Sequence, residues 1–86
     1  VDPKLAWALR HPEAFPIDVN RAPREALLRV PGFGRRTVAR ILAVRAFHRV
    51  RVEDLARLHV PVARALPFVV AAGHDASALD EAGRAL

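Results

Sequence analysis

The densest grouping of chemistry-bearing residues in this 86-residue chain is Gly32-Phe33-Gly34, followed at once by Arg35-Arg36-Thr37, with Arg40 one helical turn further on. Glycine at positions 32 and 34 lets the backbone take turn conformations closed to other residues and lets a ligand approach the main chain closely. The free N–H groups opening the helix that follows, near Gly34 to Thr37, combine with the helix dipole into an anion site that a phosphate fits. Arg35, Arg36 and Arg40 would ring that anion with charge, and Phe33 would plug the gap between the flanking helices. The other candidates gather into nothing comparable. His11, His48, His59 and His74 share no metal-ligand spacing. His48 and His59 could touch phosphate, although surface or partly buried histidines are the default. With no Cys in the chain, disulfides, iron–sulfur ligation, thiolate zinc sites and cysteine nucleophiles are excluded.

Charge points the same way. Thirteen of the 14 basic residues are Arg, the better side chain for bidentate phosphate contacts, and Lys4 is the only lysine. Between Asn20 and Arg51 lie nine Arg against Glu25 alone, so that segment carries 9 − 1 = +8 and the remainder of this +5 chain carries 5 − 8 = −3. A solvated helix face normally mixes Glu with its Arg. This asymmetry instead suggests a surface for a polyanion. The length allows one domain with a small core, and 52% hydrophobic residues are too many for a disordered tail. No apolar run approaches the ~18 residues of a bilayer span, and a cytoplasmic location is expected. The chain begins Val1-Asp2-Pro3 and contains no Met, as a domain of a longer protein would.

The elements that must position the glycine pair read as an all-α bundle of about five short helices. Asp2-Pro3 is an N-cap followed by proline at the first helical position, opening a helix that stops near His11-Pro12. Pro12 opens a short turn through Phe15, and Ile17-Asp18-Val19-Asn20 reads as an extended linker. The next helix, 24–29, presents Ala26, Leu27 and Val30 and ends at Val30-Pro31-Gly32, because Pro31 disfavours helical geometry in the residue before it. Thr37 to Ala46 is the clearest helix, with an apolar stripe of Val38, Ile41 and Leu42 and with Arg36 and Arg40 off that stripe. Val52–Leu58 carries acids in its first turn, and Pro61 starts a further short helix over 62–66. Phe68-Val69-Val70 should tuck into the core, and order should fade from Gly73 onward. Trp7, Phe15, Phe47 and Phe68 are spaced as core anchors. The resulting domain plan is an N-terminal helical extension over 1–16, a hairpin domain over 17–72 and a weakly ordered tail or helix over 73–86.

Val30-Pro31-Gly32-Phe33-Gly34 with Thr37-Val38-Ala39-Arg40-Ile41-Leu42 resembles the helix-hairpin-helix DNA-binding motif. Ile17-Asp18-Val19-Asn20-Arg21-Ala22 before it and Val52-Glu53-Asp54-Leu55 after it resemble the paired-hairpin domains of competence proteins involved in DNA uptake. The second hairpin, Leu58 to Phe68, is degenerate, with no glycine pair and a shortened turn. A resemblance spanning nearly the whole chain, from Asp2-Pro3-Lys4-Leu5-Ala6-Trp7-Ala8-Leu9-Arg10 through the linker and hairpin to Phe68, is to the C-terminal domain of putative DNA modification/repair radical SAM proteins. That family's cluster-binding cysteines are absent here.

The resemblance implies that backbone N–H groups of Gly32, Gly34, Arg36 and Thr37 hold a DNA phosphate. It also implies that backbone carbonyls of Leu28, Val30 and Phe33 coordinate a monovalent cation, K⁺ or Na⁺, bridging to that phosphate; no other cofactor is required. Such contacts read the backbone of duplex or single-stranded DNA without sequence preference. Other domains of a larger protein are further expected partners. The alternative is a protein–protein docking domain on the same degenerate hairpin fold, which would present an exposed apolar face in place of an Arg-lined one. An enzyme reading fares worse, and no catalytic residue is assigned. Glycosylases carrying this hairpin place a catalytic Asp near the position of Asp54, which here reads more simply as helix first turn. Some carry a nucleophilic Lys where this chain has Arg36, which stays protonated.

Overall fold

The computed structural model describes residues 2–77. Five α-helices lie wholly among the described residues: α1 (Pro3–Arg10), α2 (Arg24–Leu27), α3 (Arg35–Arg45), α4 (Val52–Arg57) and α5 (Val62–Ala65). They are not the whole architecture. A three-stranded mixed sheet accompanies them, made of β1 (Ile17–Asp18), β2 (Val69–Ala71) and β3 (His74–Asp75) in the order β1-β2-β3. The fold is therefore mixed α and β, and the all-α expectation is corrected.

The pairing explains the correction. Ile17 and Asp18 pair in parallel with Val69 and Val70, so the segment read as a linker and the segment read as an apolar tuck are partners in one sheet. Both helical hairpins lie in the crossover between them. Strands of two and three residues are too short to show an alternating pattern, and a parallel partner far along the chain leaves no local turn signal. Val70 and Ala71 then pair antiparallel with Asp75 and His74 around Gly73, whose φ of +88° suits the tight turn. The segment where order was expected to fade thus contributes a strand and a buried Ala76. Residues 78–86, the rest of the expected tail, lie outside the described residues.

The helices follow their local chemistry. Asp2 accepts from the backbone N–H of Lys4 at 3.0 Å, and Pro3 occupies the first helical position of α1. α2 stops at Leu27, ahead of Pro31. α4 ends in a Schellman arrangement, in which Val60 N–H donates to Leu55 O and His59 N–H to Ala56 O, both at 3.2 Å. His59 takes the left-handed φ of +60°, so the degenerate hairpin turns without a glycine. The core lies between the two hairpins and the sheet. Leu27 and Val30, Val38 and Ile41, Val50, Leu55 and Val69 are wholly buried.

The sheet and the hairpins are stitched together by one side chain. Asn20 donates from Nδ2 to Val50 O at 3.1 Å and accepts from Val50 N–H at 2.7 Å, clamping the end of β1 to the segment that follows α3. Arg45, on the inner side of α3, donates to Ala22 O at 2.7 Å. Together they fix α3, and with it the turn that precedes it, against the rest of the domain.

Candidate nucleic-acid interface

The turn between α2 and α3 is built from inside outward. Phe33 is 1% exposed and lies in the central core cluster, the plug its position between two glycines suggested. Its N–H donates to Val30 O at 3.0 Å, closing the turn. The two glycines have different reasons for being glycine. Gly32 has φ +93°, and a Cβ there would lie 2.9 Å from Cγ of Pro61, so it serves both the turn and the close approach of the second hairpin. Gly34 has φ −95° and ψ 177°, an ordinary extended geometry, and a Cβ on it would meet nothing within 4 Å. Neither strain nor packing requires glycine at position 34.

Gly34 is the N-cap of α3, and no side chain caps the helix. The first backbone bond of the helix runs from Val38 N–H to Gly34 O at 2.9 Å. The N–H groups of Arg35, Arg36 and Thr37 precede it and are the orphan donors of the helix start. Arg35, Arg36 and Arg40 are exposed, and among the described residues none of the three pairs with a carboxylate. No acidic residue stands in the first turn of α3. The expected phosphate-facing residues Gly32, Phe33, Gly34, Arg35, Arg36, Thr37 and Arg40 are thus brought together at one end of one helix, with Phe33 contributing backbone only.

Some other basic residues of the +8 segment have partners elsewhere. Arg45 is bonded to backbone carbonyls, as described. The Arg29 guanidinium lies 4.3 Å from the ring centroid of Trp7, a cation–π geometry. Arg21 lies 4.0 Å from the Asp18 carboxylate. At the second hairpin Arg64 is paired with Asp2, and Arg57 lies 3.7 Å from Asp54. Asp54 also accepts from Arg51 N–H at 2.9 Å, so it caps α4. The histidines hold local backbone positions: His11 Nδ1 is 2.9 Å from Trp7 O, His48 Nδ1 is 2.9 Å from Arg49 O, and His74 Nε2 is 2.8 Å from Leu66 O.

One sequence expectation changes here. Phe47, read as core, is 88% exposed beyond the end of α3. Trp7, Phe15 and Phe68 do pack in sequence, edge to face at 6.1 and 5.3 Å. The carbonyls of Leu28, Val30 and Phe33 are the expected cation ligands. Phe33 O accepts a hydrogen bond from Lys4 Nζ, delivered from α1, and Val30 O accepts from Phe33 N–H. A free K⁺ or Na⁺ at Phe33 O would share that oxygen with an ammonium. Burial lowers the Lys4 pKa below the usual lysine range, as expected for an ammonium drawn partly out of water.

Sequence reasoning missed Lys4 altogether. A signal was present, because Lys4 is three residues before Trp7 on α1 and shares its face. Trp7 turns that face toward Leu28 and Arg29, and with Pro3 and Lys4 these residues line a cleft beside the turn. No family model, curated protein or solved structure matches this chain.

Proposed function

We propose that this domain binds DNA through backbone phosphates, without sequence preference, at the turn between α2 and α3. It would serve as a module of a larger DNA repair, modification or uptake protein, acting in the cytoplasm where that DNA lies. The observation that carries the reading is the start of α3. An uncapped helix N-terminus at a glycine that needs no glycine for its own geometry is surrounded by three exposed Arg. Backbone N–H groups there accept an anion, and Arg35, Arg36 and Arg40 supply the charge that holds the neighbouring phosphates. No base edge is read by such contacts, and no catalytic group is assigned. No helix among the described residues is long and apolar enough to cross a membrane.

Fluorescence anisotropy with a random duplex and a random single strand, over a salt series, tests the reading. With three or four phosphate contacts, log K should fall with log salt at a slope of about −3. The triple variant Arg35→Ala/Arg36→Ala/Arg40→Ala should lose salt-dependent binding. Equal affinity in that variant would move DNA binding to another face, and absence of binding by the wild-type chain at low salt would favour protein docking.

A further inference from the structure

We propose that the Lys4 ammonium takes the place of a metal cation at the Phe33 carbonyl, so that the hairpin holds its phosphate with a built-in positive charge and needs neither K⁺ nor Na⁺. The phosphate half of this inference rests on the reading above; the closed carbonyl does not.

The geometry begins with α1. Asp2 caps that helix with one carboxylate oxygen and pairs with Arg64 of α5 through the other. At its outer end the Trp7 ring lies under the Arg29 guanidinium, 4.3 Å from centroid to carbon. α1 is therefore held to the first hairpin through Trp7 and Arg29, and Lys4 lies one turn before Trp7 on the same helix. Its side chain crosses to the turn and donates to Phe33 O, one residue before the N-cap Gly34. An ammonium has three N–H donors and no acceptor. One is used on Phe33 O, which leaves donors for an anion approaching the start of α3. A carbonyl that orients a fixed ammonium places positive charge where a carbonyl-bound alkali ion would place it, without loss of an ion to solvent. Arg35, Arg36 and Arg40 keep any added free cation unfavourable by like-charge repulsion.

Two measurements on the whole chain decide this. The first is free of DNA: ²⁰⁵Tl⁺, a K⁺ surrogate, is titrated into the wild-type chain by NMR, and melting is compared in KCl, NaCl and choline chloride at one ionic strength. No site-bound thallium and equal melting temperatures are expected. A bound thallium signal displaced by K⁺ would overturn the inference. The second is DNA anisotropy in the same three salts. Wild-type affinity should agree within about twofold across them, and Lys4→Met, which keeps the apolar stem and removes the charge, should bind about tenfold more weakly. Wild-type affinity several-fold higher in K⁺ than in choline would overturn the inference, as would an unchanged affinity in Lys4→Met. Should that variant fail to fold, the wild-type salt comparison and the thallium titration still decide. Absence of DNA binding in every salt would instead refute the proposed function, and the thallium result would still judge the carbonyl site.

Discussion

Replacing Gly34 by Asp should move stability and DNA binding in opposite directions. Gly34 already has the extended geometry of an N-cap, and its Cβ direction is open. An aspartate there can accept from the N–H groups of Arg36 and Thr37, and its charge complements the helix dipole. Against glycine the cap itself adds a few tenths of a kcal/mol. The dipole term adds roughly 0.3–1 kcal/mol, and the loss of glycine freedom in the unfolded chain adds roughly 0.4–1 kcal/mol. About 1–2 kcal/mol in total is expected, and for a domain of this size each 1 kcal/mol raises Tm by about 4–8 °C. The same carboxylate occupies the donors proposed for the phosphate and repels a second anion. Affinity should fall at least about tenfold, and the salt slope should lose about one contact, from near −3 to near −2. Melting by circular dichroism and anisotropy on one preparation read both quantities. Wild-type affinity in a Gly34→Asp chain of raised Tm would refute phosphate binding at the start of α3. A large fall in Tm would refute the claim that position 34 tolerates a side chain.

The remaining predictions separate what shapes the turn from what binds. Gly32→Ala meets both a positive φ and the Pro61 ring at 2.9 Å; strain of about 1–2 kcal/mol and overpacking of about 1–3 kcal/mol should add, and Pro61→Ala should restore part of the loss, measured by denaturant melts. Phe33→Ala should cost about 3–5 kcal/mol, whereas Phe47→Ala, at 88% exposure, should stay within about 0.5 kcal/mol. Arg45→Ala should destabilise by about 1.5–3 kcal/mol, because it removes a charged donor from the carbonyls of Ala22 and Val19. Its salt slope should be unchanged, while Arg40→Ala should lower the slope by about 0.9 and leave the melt unaltered.

What could be read from the sequence, and what could not, divides by the range of the causes. Asp2-Pro3, Pro31 and Pro61 act within a turn of their own positions, and the helices they bound are present. The stripe of Val38 and Ile41 is set by a period of 3.6, so its burial could be read directly. β1 and β2 depend on each other across the whole length of both hairpins, and neither Ile17-Asp18 nor Val69-Val70-Ala71 carries a pattern long enough to announce a strand. Phe47 shows the converse failure. An aromatic residue is a core candidate by type, yet α3 ends at Arg45 and leaves it on the far side of Ala46, with nothing to cover it. Within the candidate site, the residues contiguous with the glycine pair are legible because one local motif holds them. Lys4 is not, because its bond to Phe33 O spans from the first helix to the turn and depends on how α1 is fastened.

That distance also changes the meaning of the charge asymmetry. Counting along the chain gives +8 to the hairpin segment and −3 to everything else, as if the segment alone made the surface. In the fold Arg45 is used internally on carbonyls, while Arg29 lies over Trp7 and the exposed Arg21 lies near Asp18. Arg24 and Arg49 remain exposed, one opening α2 and the other beyond α3, where they add to attraction at long range. Around the start of α3 the working set is Arg35, Arg36, Arg40 and, from the nominally acidic remainder, Lys4. Four charges at one helix start match a slope near −3 to −4 and not the −8 that the segment's net charge would suggest. At the second hairpin Arg57 and Arg64 stand beside Asp54 and Asp2, so the domain should grip one phosphate cluster, not two. A measured slope steeper than about −6 would mean that the internally bonded arginines let go of their partners when DNA binds, and that the surface is made only in the complex.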